Sequence, residues 1–278
     1  MVQVDEPVKV FRVDRLEVAV YFTGKEALFE MSLTDLEKNQ FDEAGYLVRR
    51  GLFCDKDIRA IRSEIEDLHD RMAAEPPDGV GISWEEFGDV NTPRLIRQLM
   101  HSEVVSPTLN RMLRSDTMLD IVEALIGENV SLYHSKLLMK AANDGSAIPW
   151  HQDFAYWKQE ANDPLMVNCM VAIDGADLAN GCTEFVSGSH QWGLQDHERE
   201  KTSFGVFLPG HYQDRDDATA VEMAPGDAVF FSALIIHGSA PNTSGRSRRL
   251  NTFAFNVTGN GEGQCREWLR GSNSSIAK

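Results

Sequence analysis

The sequence predicts a mainly β fold with flanking helices, and three observations support this class. Apolar residues recur at helical intervals before residue 128 and alternate with a period of two after it. Eight short candidate strands, separated by turn-forming clusters, follow that change, as is typical of a sandwich or jelly roll. Helices precede strands without alternation, which argues against a parallel doubly wound sheet. We therefore expect N-terminal helices that buttress one antiparallel β core.

The 278-residue chain is long enough to bury a sizeable core and shows no internal repeat, so we interpret it as one domain. The segments in this interpretation are a strand-like extension (1–32), a mostly helical buttress (33–128), the β core (129–260) and a tail (261–278). Apolar residues of both parities over 9–22 predict a strand or hairpin. This segment could serve a homodimer or cover an edge of its own sheet.

Helical spacing predicts three helices in the buttress. The first follows Thr34, which can form a capping box with Glu37, and it ends at Gly45. The second starts near Asp55, and the third covers residues 115–126. The second helix carries one apolar stripe, formed by Ile58, Ile61, Ile65, Leu68 and Met72.

Turn-forming residues separate the remaining elements. Residues 74–95 include a Pro-Pro-Asp-Gly run and are predicted to form a loop. The candidate strands are residues 129–140, 148–156, 165–174, 183–187, 203–208, 219–224, 227–236 and 248–257.

Composition excludes several classes of partner and location. With 27 Lys and Arg against 43 Asp and Glu, the formal charge is −16, so the chain repels phosphate backbones and anionic headgroups. We therefore expect neither nucleic acid nor a membrane as a partner. The four cysteines show no C-x-x-C pair and are interpreted as reduced thiols, and no signal peptide is apparent, so we expect a cytoplasmic protein.

Three residues suggest a metal site. His151 and Asp153 stand two residues apart in a candidate strand, so both side chains are expected on the same face. His237 ends an apolar run and shares the parity of its inward-facing residues. Two histidines and one carboxylate that leave other positions open are the ligands expected of non-heme Fe(II) oxygenases. A His-x-Asp spacing is also common without a metal, so these residues form a hypothesis.

Arg248 suggests an anion site close to that metal site. It opens the last candidate strand and shares a face with Leu250 and Thr252. If Phe253 and Phe255 pack against the helices, Arg248 points into the β core. A buried guanidinium needs a partner, and its planar fork suits a carboxylate such as the distal carboxylate of 2-oxoglutarate. The alternative, an exposed basic cluster with the two neighbouring arginines, stays open on the residues alone.

Four motifs together resemble a known family over residues 33–278. They are residues 40–48 (QFDEAGYLV), 150–154 (WHQDF), 180–190 (NGCTEFVSGSH), and 237–239 (HGS) followed by Arg248. On these motifs the chain resembles the phytanoyl-CoA dioxygenase family of Fe(II)/2-oxoglutarate oxygenases. Cys182 stands where that family usually has alanine, and Ser187 where it commonly has proline, so this loop is expected to differ.

The resemblance implies a double-stranded β-helix, a jelly-roll and cupin-like core, with Fe(II), 2-oxoglutarate and O2 as cofactor and co-substrates. The implied iron ligands are His151, Asp153 and His237, and the implied co-substrate residues are Arg248, Ser239 and Thr183. Lys136, on the strand before the metal motif, is a further candidate for the site, with a solvated lysine as the alternative. Asp153 favours hydroxylation, because the family's halogenases have a small residue there to leave room for halide.

The expected substrate is a small or medium-sized metabolite or natural-product intermediate, and 2-oxoglutarate would become succinate and CO2. A CoA thioester is mildly disfavoured by the charge of −16. The residues expected near the substrate are Trp150, Phe154, Tyr156, Trp157 and the 74–95 loop. Residues 153–160 resemble part of the ectoine hydroxylase signature, whose remainder is missing.

Two alternatives come from other classes of protein. A cupin-like metal-dependent isomerase or epimerase would share the jelly roll but would not need Arg248 or 2-oxoglutarate. A non-catalytic metabolite-binding jelly roll would leave the intact metal motif unexplained. Succinate formation that depends on Fe(II) and 2-oxoglutarate discriminates the oxygenase from both.

Overall fold

The computed structural model describes residues 9–13, 16–20, 33–85, 95–199, 205–212, 215–261 and 267–271. The strands are β1 (Lys9–Val13), β2 (Leu16–Val20), β3 (Tyr46–Arg49), β4 (Ile82–Trp84), β5 (Ile96–Met100), β6 (Val130–Lys140), β7 (Ile148–His151), β8 (Met166–Ala172), β9 (Thr183–Val186), β10 (Glu198–Arg199), β11 (Val206–Phe207), β12 (Ala218–Val221), β13 (Ala228–Ser232), β14 (His237–Ser239), β15 (Arg248–Val257) and β16 (Glu267–Arg270). The helices are α1 (Asp35–Ala44), α2 (Asp55–Glu64), α3 (Leu68–Ala74), α4 (Ser102–Val105), α5 (Pro107–Leu113), α6 (Asp116–Ile126) and α7 (Phe154–Trp157). Within these ranges, no helix has the length and apolar character that crossing a bilayer requires.

Two antiparallel sheets form the β core. The larger sheet has the order β3-β13-β8-β15-β6-β5-β4, with β16 also paired to β6. The smaller sheet has the order β12-β9-β14-β7. β14 pairs with β7 so that His237 lies opposite His151, which brings together two histidines that are distant in sequence.

Apolar side chains fill two layers. One layer lies between the helices and the outer face of the larger sheet, where Leu109 and Leu119 join Phe253 and Phe255 in one cluster. The other lies between the two sheets, where Phe185 of the smaller sheet packs with residues of the larger. The two sheets face each other without closing into one barrel. The predicted mainly β jelly roll with flanking helices is therefore confirmed.

The predicted helices are present, with one interruption. Thr34 and Glu37 form the capping box of α1, and Gly45 ends the helix at φ +83°. The predicted second helix is split into α2 and α3, although every residue of its apolar stripe is buried. α6 begins after the Ser115 cap and ends at Gly127, as its spacing predicts.

Several strand predictions need correction. The candidate 148–156 ends at His151, because the next residues turn into the short helix α7. The candidate 227–236 ends at Ser232, where β13 runs into a turn, so His237 opens a separate strand, β14. β4 lies inside the predicted 74–95 loop, whose residues 86–94 are outside the described ranges. For the candidate 203–208, the described part contains only the two-residue β11.

Some elements have no counterpart in the predictions: β3, β5, β10, β16, α4 and α5. Most are short, and the strands among them are defined by their pairing with other strands. β1 and β2 form a hairpin, as predicted for residues 9–22. Among the described residues these two strands pair with each other and not with a strand of the larger sheet.

Candidate active site

His151, Asp153 and His237 come together at one end of the smaller sheet. One ligand atom from each lies within 4.8 Å of the others. The Asp153 carboxylate oxygens are 3.7 Å from His151 Nε2 and 3.8 Å from His237 Nε2. Ligand atoms about 2.0–2.2 Å from a shared ion lie up to about 4.3 Å apart, so both distances fit one metal ion between the groups.

Backbone contacts orient both imidazoles toward this point. His151 Nδ1 lies 2.8 Å from the Pro149 carbonyl oxygen, and His237 Nδ1 lies 3.1 Å from that of Ile235. Because a carbonyl oxygen only accepts a hydrogen bond, each Nδ1 carries a proton, which leaves Nε2 as the ring atom available to a metal ion. Burial and the neighbouring His151 lower the pKa of His237 to about 3, so its imidazole is neutral and can bind a metal.

The backbone conformation that brings Asp153 to the site was not predicted from the sequence. Its backbone has helical angles (φ −59°, ψ −34°) just beyond the end of β7, so strand alternation does not place it beside His151. Burial raises the pKa of this carboxyl group, but Lys136 and the two imidazoles outweigh burial and hold the pKa well below its usual range. Asp153 is therefore a carboxylate, and its Oδ2 accepts a 2.8 Å hydrogen bond from Asn168 Nδ2.

Replacing Asn168 with leucine is expected to weaken metal binding by about 10- to 100-fold, because the variant loses the hydrogen bond that orients Asp153. Competition with a metal-binding indicator dye measures this affinity. The exposed Asn162→Leu provides a matched control. Wild-type affinity in Asn168→Leu would show that the hydrogen bond does not orient the ligand.

Arg248 is buried in the β core, and two of its hydrogen-bond donors have no acceptor among the described residues. It is 1% exposed, and its Nε and Nη2 atoms have no hydrogen-bond partner among the described residues. Burial lowers the pKa of Arg248 to about 10, so the guanidinium still carries its charge at neutral pH. Its neighbours differ: Arg246 pairs with Asp177, and Arg249 with Asp174. The alternative of one exposed basic cluster is therefore wrong.

A cavity of about 400 Å³ connects the triad with Arg248. The other residues on its lining that were predicted to serve the co-substrate or the metal site are Lys136, Thr183 and Ser239. Lys136 Nζ is 3.8 Å from Asp153 Oδ1, so the alternative of a solvated lysine does not apply. Thr183 Oγ1 donates to the sulfur of Met170 at 3.3 Å.

Lys140 and Asn168 were missed by reasoning from the sequence, which placed Thr252 on the same face as Arg248 without giving it a role. The antiparallel pairing of β6 and β15 sets Lys140 opposite Arg248, and both line the cavity with Thr252. Lys140 has the same strand parity as Lys136, so alternation along β6 was the signal that could have identified it.

Aromatic and charged side chains form the wall beyond the triad. Tyr156 and Trp157 line the cavity as expected, and Tyr133, which donates a hydrogen bond to Glu160, lies beside them. Trp150 packs instead in a separate cluster with Val186, Leu208 and Ile236. Phe154 and the described part of the 74–95 loop also lie outside the cavity lining. The predicted aromatic rim is therefore correct only in part.

Comparison with known proteins agrees with this geometry. The family model described as Phytanoyl-CoA dioxygenase (PhyH) matches residues 41–250. Ectoine dioxygenase from Bordetella parapertussis is 27% identical over 245 residues, which cover 83% of this chain and 76% of that protein. The probable phytanoyl-CoA dioxygenase of Caenorhabditis elegans is 30% identical over 229 residues, which cover 77% of this chain and 72% of that protein.

Solved structures show the same fold. The crystal structure of EctD from S. alaskensis with 2-oxoglutarate and 5-hydroxyectoine has a TM-score of 0.68 to this protein. It is 21% identical, and the superposition covers 91% of this chain and 90% of that one. The family match extends over more than half of the chain and includes every residue of the triad and Arg248. The chain therefore belongs to the phytanoyl-CoA dioxygenase family of iron(II)- and 2-oxoglutarate-dependent oxygenases.

Proposed function

We propose that this dioxygenase hydroxylates a C–H bond of a small or medium-sized metabolite, with 2-oxoglutarate and O2 as co-substrates. The observation that carries the proposal is the charged Arg248, which is 1% exposed and lines the same cavity as the triad. A buried charge without a partner is costly, so this position favours an anionic ligand. A cupin-like isomerase would not need this arginine.

Each side chain has a role in this proposal. His151, Asp153 and His237 hold iron(II) through three protein ligands and leave further positions open to ligands from the cavity. Bound iron supplies the activation of O2 and the oxidative decarboxylation of 2-oxoglutarate. Arg248 pairs with the distal carboxylate of 2-oxoglutarate, and Ser239 and Thr183 lie along the same cavity to contact the co-substrate. Lys136 keeps Asp153 ionised.

The overall reaction balances without another reductant. One oxygen atom of O2 enters succinate as 2-oxoglutarate loses CO2, and the other enters the substrate as a hydroxyl group. Asp153 supports hydroxylation over halogenation, because its carboxylate takes the position that a halide would need. Desaturation, ring formation and rearrangement would use the same residues.

The cavity limits the substrate. Its volume of about 400 Å³ is near the lower end for small-molecule pockets, about 300–1,000 Å³, and 2-oxoglutarate takes part of it. The wall presents Arg97, Tyr156, Trp157 and Glu160, which suits a substrate with both apolar and charged groups. The names of the relatives add ectoine and phytanoyl-CoA to the compounds that deserve testing.

Location and assembly complete the proposal. The described cysteines, Cys54, Cys169 and Cys182, are free thiols, which supports a reducing compartment such as the cytoplasm. A homodimer that uses residues 9–22 also stays part of the proposal, and light scattering on the purified protein would test it.

The test is succinate formation from 2-oxoglutarate across a panel of amino acids, ectoine, acyl-CoA thioesters and natural-product intermediates. We expect succinate and a hydroxylated product in equal amounts with the true substrate, both dependent on Fe(II). Labelled O2 should contribute one oxygen atom to each. Conversion of a substrate without 2-oxoglutarate consumption would favour the cupin-like isomerase.

A further inference from the structure

Three aromatic rings and one carboxylate lie together on the cavity wall, and the proposed function gives them no specific role. The rings belong to Tyr133, His134 and Trp157, and the carboxylate belongs to Glu160. The ring centroids lie 5.0 Å apart between Tyr133 and His134, 5.2 Å between Tyr133 and Trp157, and 5.4 Å between His134 and Trp157. The ring planes meet at 51°, 56° and 75°, so the three rings form a corner rather than a flat stack. We call these three rings the aromatic corner.

A bulge in β6 places Tyr133 and His134 on the same side of the sheet. Neighbouring residues of a regular strand point to opposite faces. The pairing of β6 with β15 shifts between Ala254 and Phe255, so Tyr133 has no partner in β15. An extra residue of this kind redirects side chains, and here both Tyr133 and His134 line the cavity. The aromatic corner therefore depends on this local departure from strand alternation.

Glu160 is held in place beside the aromatic corner. Its carboxylate accepts a hydrogen bond from the Tyr133 hydroxyl. Burial and this carboxylate hold the pKa of Tyr133 well above its usual range, so the phenol stays protonated and donates. An added Cβ at Gly261 would collide with the Glu160 carbonyl oxygen, so glycine lets the chain pass this close. Asn260 fixes the same segment through two 2.8 Å hydrogen bonds with the backbone of Asp163.

The charges around Glu160 favour a cation from outside the chain. Among the described residues, no side chain forms an ion pair with Glu160, whose one side-chain partner is Tyr133. Lys136 lies 3.8 Å from Asp153 Oδ1, and Arg97 has interactions of its own. Burial and the charge of Lys136 lower the pKa of His134 to about 3, so this ring adds no positive charge. The net charge of −16 also attracts cations to the protein.

We propose that the aromatic corner and Glu160 form the subsite for a substituted ammonium group of the substrate. The carboxylate accepts a hydrogen bond from the ammonium N–H, and the aromatic rings attract the charge and cover the alkyl groups. This inference rests on the proposed function, because it names the chemical class of the compound that is hydroxylated. Amine-bearing metabolites are therefore the expected substrates.

Calorimetric titration of the protein loaded with Co(II) and 2-oxoglutarate, without O2, tests the proposal. The two probes are cyclohexylammonium and cyclohexanol, which match in size and differ in charge. We expect the wild type to bind cyclohexylammonium at least about tenfold more tightly than cyclohexanol, the usual effect of a hydrogen bond between charged groups. Equal dissociation constants for the two probes would overturn the proposal.

Glu160→Gln separates the effect of charge from that of shape, because the amide oxygen can still accept the Tyr133 hydrogen bond. This variant should bind cyclohexylammonium about tenfold more weakly and change the dissociation constant of cyclohexanol less than about twofold. Trp157→Leu should lower the preference for the ammonium probe about threefold, because it removes one cation–π contact. The exposed Glu66→Gln is the matched control for Glu160→Gln. A wild-type preference in Glu160→Gln would contradict the assigned role of this carboxylate.

Titration with 2-oxoglutarate alone separates this inference from the proposed function. Both variants should bind 2-oxoglutarate like the wild type, which also shows that they are folded. Equal affinities for the two probes in a protein that binds 2-oxoglutarate would overturn this inference alone. Failure of the wild-type protein to bind 2-oxoglutarate would instead overturn the proposed function together with this inference.

Discussion

Asp153→Ala is expected to remove detectable turnover and to lower Fe(II) affinity by more than about 100-fold. Loss of a residue that only hydrogen-bonds to a metal ligand can already cost up to about 100-fold in affinity. The carboxylate supplies one of three ligand atoms that lie within 4.8 Å of one another. The two imidazoles that remain in the variant offer no negative charge to the ion. Equilibrium dialysis followed by metal analysis measures the affinity, and succinate formation measures turnover.

The control for this variant is Asp144→Ala, which removes an exposed carboxylate from a turn between β6 and β7. It should bind iron and turn over like the wild type. Thermal unfolding should show that Asp153→Ala keeps its fold, because the apolar clusters around the site do not include Asp153. An active Asp153→Ala protein would refute the metal assignment.

Arg248→Met is expected to raise the 2-oxoglutarate concentration for half-maximal turnover by at least about 30-fold. This is the effect of removing one partner of a buried, hydrogen-bonded charge pair, about 2 kcal/mol or more. Methionine fills a similar volume without charge, so substrate contacts outside this end of the cavity are preserved. Steady-state succinate formation at varied 2-oxoglutarate measures the change, and the iron affinity should stay at the wild-type value.

Arg246→Met is the matched control, because Arg246 is exposed and already pairs with Asp177. Its 2-oxoglutarate requirement should not change. Arg248→Met should also keep or raise the melting temperature of the co-substrate-free protein, since it removes a buried charge that lacks hydrogen-bond partners among the described residues. A wild-type 2-oxoglutarate requirement in Arg248→Met would contradict the assignment of this residue.

The central strands could be predicted because their alternation is long, although a bulge shifts the β6–β15 register between Ala254 and Phe255. β15 has the predicted limits, 248–257, and β6 agrees with its prediction to within one residue. The side-chain directions along β15 were also predicted correctly: Phe253 and Phe255 pack against the helices, and Arg248 lies on the opposite face. Strand parity therefore identified Arg248 correctly, since this part of the chain obeys the simple period of two.

The position of Asp153 shows where that reasoning stops. The sequence predicted it beside His151 on one strand, and the two residues do meet, but through a turn into α7. A helical turn after a short strand depends on packing rather than on the two-residue spacing. β4 and β5 likewise have only three and five residues, and their pairing within the larger sheet defines them.

The strand face of Lys140 could have been predicted from the sequence, but its burial could not. Its parity along β6 was visible, yet its burial depends on Gly181 and on the backbone at Ala240, which are distant in the chain. Local patterns carry no information about such close approaches. The same holds for Asn168, whose contact with Asp153 comes from the neighbouring β8.

The most direct test of the central claim is an anaerobic titration of the Fe(II)-loaded protein with 2-oxoglutarate, followed by visible absorption spectroscopy. A 2-oxo acid chelated to Fe(II) gives a weak charge-transfer band. We expect this band to appear and saturate in the wild type, and to need at least about 30-fold more 2-oxoglutarate in Arg248→Met. Iron binding without any band would contradict the claim that this cavity binds 2-oxoglutarate at the metal.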